Sequence, residues 1–278
     1  MKRFRIVNMN FDSRALTLSD EIRDEWEEVV KEQHRKNRER IIEALRAEYG
    51  TWQADAKIKN FTDLGPQSFS VFAFHNRFLT QARAAFVVGA YYPAATGACA
   101  LGERILNHLI LRLRDHYAAT PDYKKVHAKD SFDDWRLAID VLEGWGVLLA
   151  VAAAKYRELH QIRNFVLHFN LATDMFDRDI ALACIQRLDQ IIAEQFPAIG
   201  AQPWFIPGTY GEAYIRKESE GQPFVKEIYL PNCQLVGPRH RIEFVQGRMV
   251  AIDDTSYDEG EISDAEFISL RRAYVSGA

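Results

Sequence analysis

The sequence predicts a mainly helical protein: an up-and-down helical bundle with a long N-terminal helix and a small C-terminal module rich in β-strands. Between residues 66 and 197, apolar residues recur at three- and four-residue steps, the spacing of helices with one buried face. After Trp204, prolines and glycines become frequent and separate short runs of β-favouring residues. These changes divide the chain into residues 1–65, 66–197 and 198–278.

The first segment predicts a short strand over Phe4–Phe11 and then one long helix. Ser19 precedes two acidic residues, as at a helix N-terminus, and the pattern ends at Gly50 after Tyr49. From Lys31 to Arg40 this helix is almost wholly charged. Two interpretations stay open: a solvated helix that bridges the bundle to another part, or an arm that contacts a partner protomer or RNA.

The bundle helices are predicted from apolar spacing and from their terminal residues. The first bundle helix is predicted to begin at Pro66 and Ser68, and Pro93 precedes the second. The second and later helices are predicted over Ala94–Tyr117, Asp133–Glu143, Val147–Phe169 and Asp177–Gln195.

The C-terminal segment predicts strands and one last helix. One strand is predicted over Phe224–Leu230. A hairpin is predicted from the strands Arg241–Val245 and Arg248–Ile252. Ser263 is placed to cap a final helix that runs to Tyr274.

Composition limits the class of protein. The chain has 278 residues, a hydrophobic content of 47% and a net charge of −4, which fits an ordinary globular protein rather than a general nucleic-acid coat. Charges interrupt every apolar run before it reaches membrane-spanning length, so we expect no membrane association. Three widely spaced cysteines predict neither a zinc site nor disulfides, and a reducing cytoplasm is the expected location. No metal-ligand spacing or cofactor-binding loop is found, so we expect neither metal nor cofactor.

The helix that ends near Phe169 contains three polar residues on an otherwise apolar pattern: Arg163, Asn164 and His168. Asn164 and His168 lie one helical turn apart, and the long side chain of Arg163 can reach the same side. A permanent cation and an imidazole that titrates near neutral pH suit the handling of a phosphodiester. We therefore take Arg163, Asn164 and His168 as candidate catalytic residues.

The Arg-Asn-x-x-x-His pattern of residues 163–168, with the stretch Ala84–Leu106 upstream of it, resembles the HEPN superfamily over about Ser68–Gln195. The resemblance implies a HEPN-like bundle and a metal-independent ribonuclease of the toxin or antiviral defence type. It also implies a homodimer in which two motifs form one composite cleft, products with a 2′,3′-cyclic phosphate, and an antitoxin or regulatory partner.

The sequence supports a functional role less strongly for several other polar residues. Lys124, Lys125 and Lys129 lie in the most basic neighbourhood and are candidates for RNA binding, although a solvated loop would look the same. Glu103 matches an acid often seen at this point in the resembling family; an acid that pairs across the bundle explains it better than a catalytic one. His160 lies two turns before His168, so it either touches the site or only packs.

A second function stays open. The same residues would serve a non-catalytic HEPN-like module that binds a nucleotide or fixes a dimer interface. The third hypothesis is a scaffold or regulatory protein in which these polar residues only satisfy one another inside the fold. Binding without turnover would distinguish the second from the nuclease.

Overall fold

The computed structural model describes residues 1–167, 175–209, 212–246, 248–258 and 260–277. The chain is mainly helical, with a small group of strands toward its C-terminus, as the sequence predicts. The helices, in chain order, are α1 Arg14–Ser19, α2 Glu28–Tyr49, α3 Ala54–Leu64, α4 Asn76–Val87, α5 Tyr91–Leu113, α6 Tyr123–Val126, α7 Trp135–Gly144, α8 Ala150–Leu167, α9 Asp177–Gln195 and α10 Asp264–Ser276. Within the part described, no helix is both long and apolar enough to cross a bilayer.

Helix α5 is the central element of the bundle. It packs against α4, α7, α8 and α9, and α8 and α9 pack along each other. Eleven of its residues are buried, among them Ala98, Leu101, Ile105 and Leu109. Small residues in its first half let neighbouring helices approach closely, and larger aliphatic residues fill the second half. Because one helix contacts four others, polar residues from several of them can meet at its surface.

Helix α8 carries the predicted motif, and its apolar pattern is buried in part: Leu159 and Val166 are buried as expected, Ile162 is half-buried and Phe165 is exposed. Its buried residues are Ala152, Ala153, Tyr156, Leu159 and Val166. Phe169, the end of the predicted helix, and His168 lie outside the described residues. The predicted start at Val147 is three residues early, because Gly146 takes a positive φ of 68° and turns the chain there.

The described strands lie toward the two ends of the chain, and the pair formed by residues 3–6 and 233–236 joins these ends. They form three antiparallel pairs: β1 Arg3–Ile6 with β4 Cys233–Val236, β2 Met9–Asp12 with β3 Gln67–Val71, and β5 Arg241–Val245 with β6 Arg248–Ile252. The predicted hairpin is therefore present, with Gln246 at φ 51° in its turn. The single strand predicted over Phe4–Phe11 is two strands, and each pairs with a segment far away in sequence.

Two segments were assigned to the wrong kind of element. The helix predicted to open at Pro66 and Ser68 is strand β3, and α4 begins only at Asn76. Apolar residues at helical spacing here also suit a strand, and pairing with β2 decides between the two. The strand predicted over Phe224–Leu230 is helical instead, with turns at Val225–Tyr229 and Leu230–Asn232.

The long N-terminal helix begins later than predicted, at Glu28 instead of just after Ser19. Helix α1 ends at Ser19, whose hydroxyl donates to the carbonyl oxygen of Ala15 instead of capping a new helix. Asp20 is extended, with φ −66° and ψ 130°, and α2 begins at Glu28. The charged stretch predicted for this helix lies within α2 and is largely exposed.

The division into three segments stays a prediction. One hydrophobic core takes side chains from all three, including Ile6 and Leu45 from the first, Leu109 from the second and Tyr229 from the third. A second, smaller core lies under α10, where Phe267 and Ile268 pack against Tyr214 and Val236.

Candidate functional site

Arg163 lies where α8 faces the middle of α5. Its Nη2 is 3.4 Å from Oε2 of Glu103 on α5. Both side chains are partly exposed, at 23% for Arg163 and 35% for Glu103. An ion pair with this much access to water can be reached by a ligand from solvent.

Trp135, the first residue of α7, joins the same carboxylate. Its indole Nε1 donates to Oε2 of Glu103 at 3.0 Å. Asp134 caps α7 by accepting from the amide of Leu137 at 3.1 Å, which fixes where the helix begins. The ring of Trp135 lies directly over Gly102, where an added Cβ would come within 2.8 Å of Cη2. The glycine therefore allows the indole to lie against α5 next to Glu103.

Asn164 connects Arg163 to His160, and the connection fixes the orientation of its amide. Nη1 of Arg163 is 3.2 Å from Oδ1 of Asn164, and Nδ2 of Asn164 is 3.4 Å from Nε2 of His160. A guanidinium only donates, so the oxygen of Asn164 must face it. The amide nitrogen then donates to Nε2 of His160, which must lack a proton. The network assigns a neutral His160 with its proton on Nδ1.

The surroundings of His160 keep it neutral. Its ring stacks on Trp135, with centroids 5.6 Å apart and 22° between the planes. Burial, together with the nearby guanidinium groups of Arg163 and Arg136, lowers the pKa of His160, and Asp134 opposes this in part. At neutral pH the imidazole is thus a hydrogen-bond acceptor rather than a cation.

These five residues, Glu103, Trp135, His160, Arg163 and Asn164, form a closed ring of contacts that we call the Arg163 cluster. It brings together two of the three candidate catalytic residues, Arg163 and Asn164. The third, His168, lies outside the described residues. His160, whose role the sequence left open, contacts Asn164, and Glu103 pairs across the bundle as expected, although it is half-buried rather than buried.

No pattern in the sequence indicated that Trp135 belongs to this cluster. It looks like any apolar residue of an amphipathic helix, and its partner Glu103 is 32 residues away. The one available signal was a Gly-Glu pair at 102–103 within a helix that is otherwise apolar on that side.

The three candidate RNA-binding lysines lie farther along the bundle. Lys124, Lys125 and Lys129 are exposed, and Lys125 forms an ion pair with Asp122 at 2.7 Å. Nη1 of Arg114 donates to the carbonyl oxygen of Lys129 at 2.6 Å, which ties this loop to the end of α5. Arg114 is eleven residues beyond Glu103, or about 16 Å along a helix axis. The lysines are therefore too far from the Arg163 cluster to contact the same phosphate group. Only a ligand that extends along the bundle would contact both.

The known proteins give no direct guide to this site. No protein-family model, no curated protein and no solved structure matches the chain. Across the residues that the structure describes, no group of three or more histidine, cysteine, aspartate or glutamate side chains is arranged to hold a metal ion. The chemistry of the site must be argued from its own groups: one guanidinium, one carboxylate, one amide and one neutral imidazole.

Proposed function

We propose that the protein is a metal-independent endoribonuclease of the HEPN type, with Arg163, Asn164 and His168 at its site. The observation that supports this most is the position of Arg163. Its guanidinium is partly exposed, is held from two sides by Glu103 and Asn164, and lies beside a neutral imidazole. A fixed, solvent-accessible cation of this kind suits a phosphate whose charge increases during reaction.

RNA cleavage of this kind needs two proton transfers and one charge stabiliser. The 2′-hydroxyl loses its proton and attacks the adjacent phosphorus, and the phosphorane gains negative charge. The 5′-oxygen then leaves with a proton, which gives a 2′,3′-cyclic phosphate and a 5′-hydroxyl. Arg163 would donate two hydrogen bonds to the phosphorane oxygens, and His168 would transfer a proton. Two copies of the chain facing each other would supply the second imidazole, so the proposal includes a homodimer.

The reaction class can be tested with purified protein and end-labelled RNA. We expect cleavage in excess EDTA, a 2′,3′-cyclic phosphate on the products, and no cut where a 2′-deoxynucleotide replaces the reacting one. His168→Ala should abolish cleavage, whereas Arg157→Ala, which removes an exposed arginine paired with Asp140 and Glu143, should cut normally. Metal-dependent cutting, or cutting at a 2′-deoxy position, would reject this proposal.

A role as a toxin or defence factor extends the proposal to the cell. Expression of the wild-type chain in bacteria should then arrest growth, and His168→Ala should relieve the arrest. Equal growth inhibition by both would assign the effect to something other than RNA cleavage.

One observation favours a second candidate, the non-catalytic module. Glu103 already neutralises Arg163, and in the described part of the Arg163 cluster each polar side chain has a partner. Such a network would also suit a nucleotide-binding or dimer-forming surface. It predicts RNA or nucleotide affinity with no turnover, and cleavage that Arg163→Ala abolishes would exclude it.

A further inference from the structure

The exposed side of α5 carries a row of planar basic side chains. Arg104, His108 and Arg112 follow one another at four-residue intervals, so they lie along one face of the helix. All three are exposed. Arg104 directly follows Glu103 in the chain, so the row begins on the helical face about 100° around α5 from the Arg163 cluster. It continues for about 12 Å along the helix.

Two aromatic rings from the α4 side lie beneath this row. The guanidinium carbon of Arg104 is 4.8 Å from the ring centroid of Phe78, which is 38% exposed. The imidazole of His108 stacks on Phe74 with centroids 4.3 Å apart and 18° between the planes. Stacking on Phe74 holds the imidazole of His108 flat against the surface, and the guanidinium of Arg104 lies over Phe78.

The row also has unbalanced positive charge. Among the described residues, Arg104 has no ion pair, and Arg112 pairs with Glu227 at 3.2 Å at the exposed surface. Burial and the charges of Arg104 and Arg112 lower the pKa of His108, as expected where a positive field opposes protonation. A negatively charged ligand bound over this row could therefore pair with Arg104 without displacing a carboxylate from it.

We propose that Arg104, His108 and Arg112, with Phe74 and Phe78 beneath them, bind single-stranded RNA and direct it toward the Arg163 cluster. This inference rests on the proposed ribonuclease function. Guanidinium groups pair with phosphates, and flat rings and guanidinium planes offer stacking faces to unpaired bases. Duplex RNA has its bases already stacked, so it would gain only the charge contacts. At its far end the helix leads to the loop of Lys124 and Lys129, where a longer strand would meet further cations.

Binding can be measured separately from cutting by using the His168→Ala protein. Fluorescence anisotropy with a labelled single-stranded RNA should show a Kd about tenfold weaker for Arg104→Ala, because both a phosphate contact and a stacking face are lost. The dependence of log K on log salt should also become shallower by about 0.7. Arg104→Lys should lie between wild type and alanine, since it keeps the charge and loses the plane.

Arg239→Ala is the matched control, because Arg239 is an exposed arginine between β4 and β5 and does not belong to the row. It should leave both the affinity and the salt dependence unchanged. Equal weakening by Arg239→Ala and Arg104→Ala would overturn the proposal, as would duplex RNA that binds as tightly as a single strand. Competition by polyglutamate at equal charge would assign the row to an acidic protein partner instead.

The test separates this inference from the ribonuclease itself. If wild-type protein does not cut RNA but Arg104→Ala weakens binding as described, the ribonuclease proposal fails and the binding row stands. If wild-type protein cuts RNA and Arg104→Ala binds normally, only the binding row fails.

Discussion

Gly102 gives a sharp test of the packing that positions the Arg163 cluster. In Gly102→Ala the new methyl group would lie 2.8 Å from Cη2 of Trp135 and 3.1 Å from Cδ2 of Leu159. Both neighbours are buried core residues, so one of them must move. Overpacking of this kind costs about 1–3 kcal/mol of stability. Replacing a mid-helix glycine by alanine also returns up to about 1 kcal/mol through helix propensity, so the raw change alone is ambiguous.

Gly97→Ala resolves the ambiguity, because it lies on the same helix and has the same propensity gain. Its added methyl group would meet only Cβ of Ala82 at 3.8 Å, an ordinary contact. We expect Gly97→Ala to be neutral or stabilising and Gly102→Ala to be less stable than it by about 1–3 kcal/mol. Urea unfolding followed by far-UV circular dichroism measures both. Equal unfolding free energies for the two variants would show that Trp135 does not lie against α5 as described.

Three further predictions concern buried or half-buried polar groups. Burial lowers the pKa of His75 to about 3. Between about pH 3 and pH 6.5 only the unfolded state then binds a proton at this residue, so His75 should contribute a loss of stability of about 2 kcal/mol from pH 8 to pH 5. His75→Leu should reduce the pH dependence over this range by that amount, and an unchanged pH dependence would contradict the assignment. Glu103→Gln keeps an acceptor for the indole of Trp135 and should change the free energy of unfolding by about 1 kcal/mol or less. Glu103→Ala removes the acceptor and should lower it by about 1–3 kcal/mol. Equal losses for the two variants in urea unfolding would refute the hydrogen bond from Trp135 to Glu103. Long-range ¹H–¹⁵N spectra should find Nε2 of His160 unprotonated at pH 7, and a protonated Nε2 would mean that the amide of Asn164 is oriented the other way.

Elements with local signals could be predicted from the sequence. The final helix begins where Ser263 was expected to cap it, and its hydroxyl accepts from the amide of Glu266 at 3.1 Å. Helix α9 begins at Asp177, and the hairpin has its predicted strands. In each case a cap, a turn or a period within about ten residues carries the information.

Elements that depend on distant partners could not be predicted. Strand β3 exists because residues 67–71 pair with β2, nearly sixty residues earlier, and nothing in the segment itself identifies that partner. The pairing of β1 with β4 spans most of the chain. Local patterns favoured a helix where β3 lies, and they favoured a separate C-terminal module where β4 pairs with β1.

The candidate site shows the same division. Arg163 and Asn164 are neighbours in sequence, so their proximity is trivial to predict. The contacts of Glu103 and Trp135 with that pair depend on how α5, α7 and α8 pack. Helical spacing tells which residues share a face, but it does not tell which faces of different helices meet.

The most direct test of the account is the rate at which Arg163→Ala protein cuts end-labelled RNA, compared with wild type and Arg157→Ala. Arg157 is the matched control: it lies on the same helix, and its exposed ion pairs go to Asp140 and Glu143 on α7 rather than to Glu103. We predict that Arg157→Ala cuts at the wild-type rate and that Arg163→Ala loses at least about a hundredfold, the usual effect of removing a group that stabilises transition-state charge. Cutting by Arg163→Ala at the rate of Arg157→Ala would contradict the claim that this guanidinium handles the phosphate.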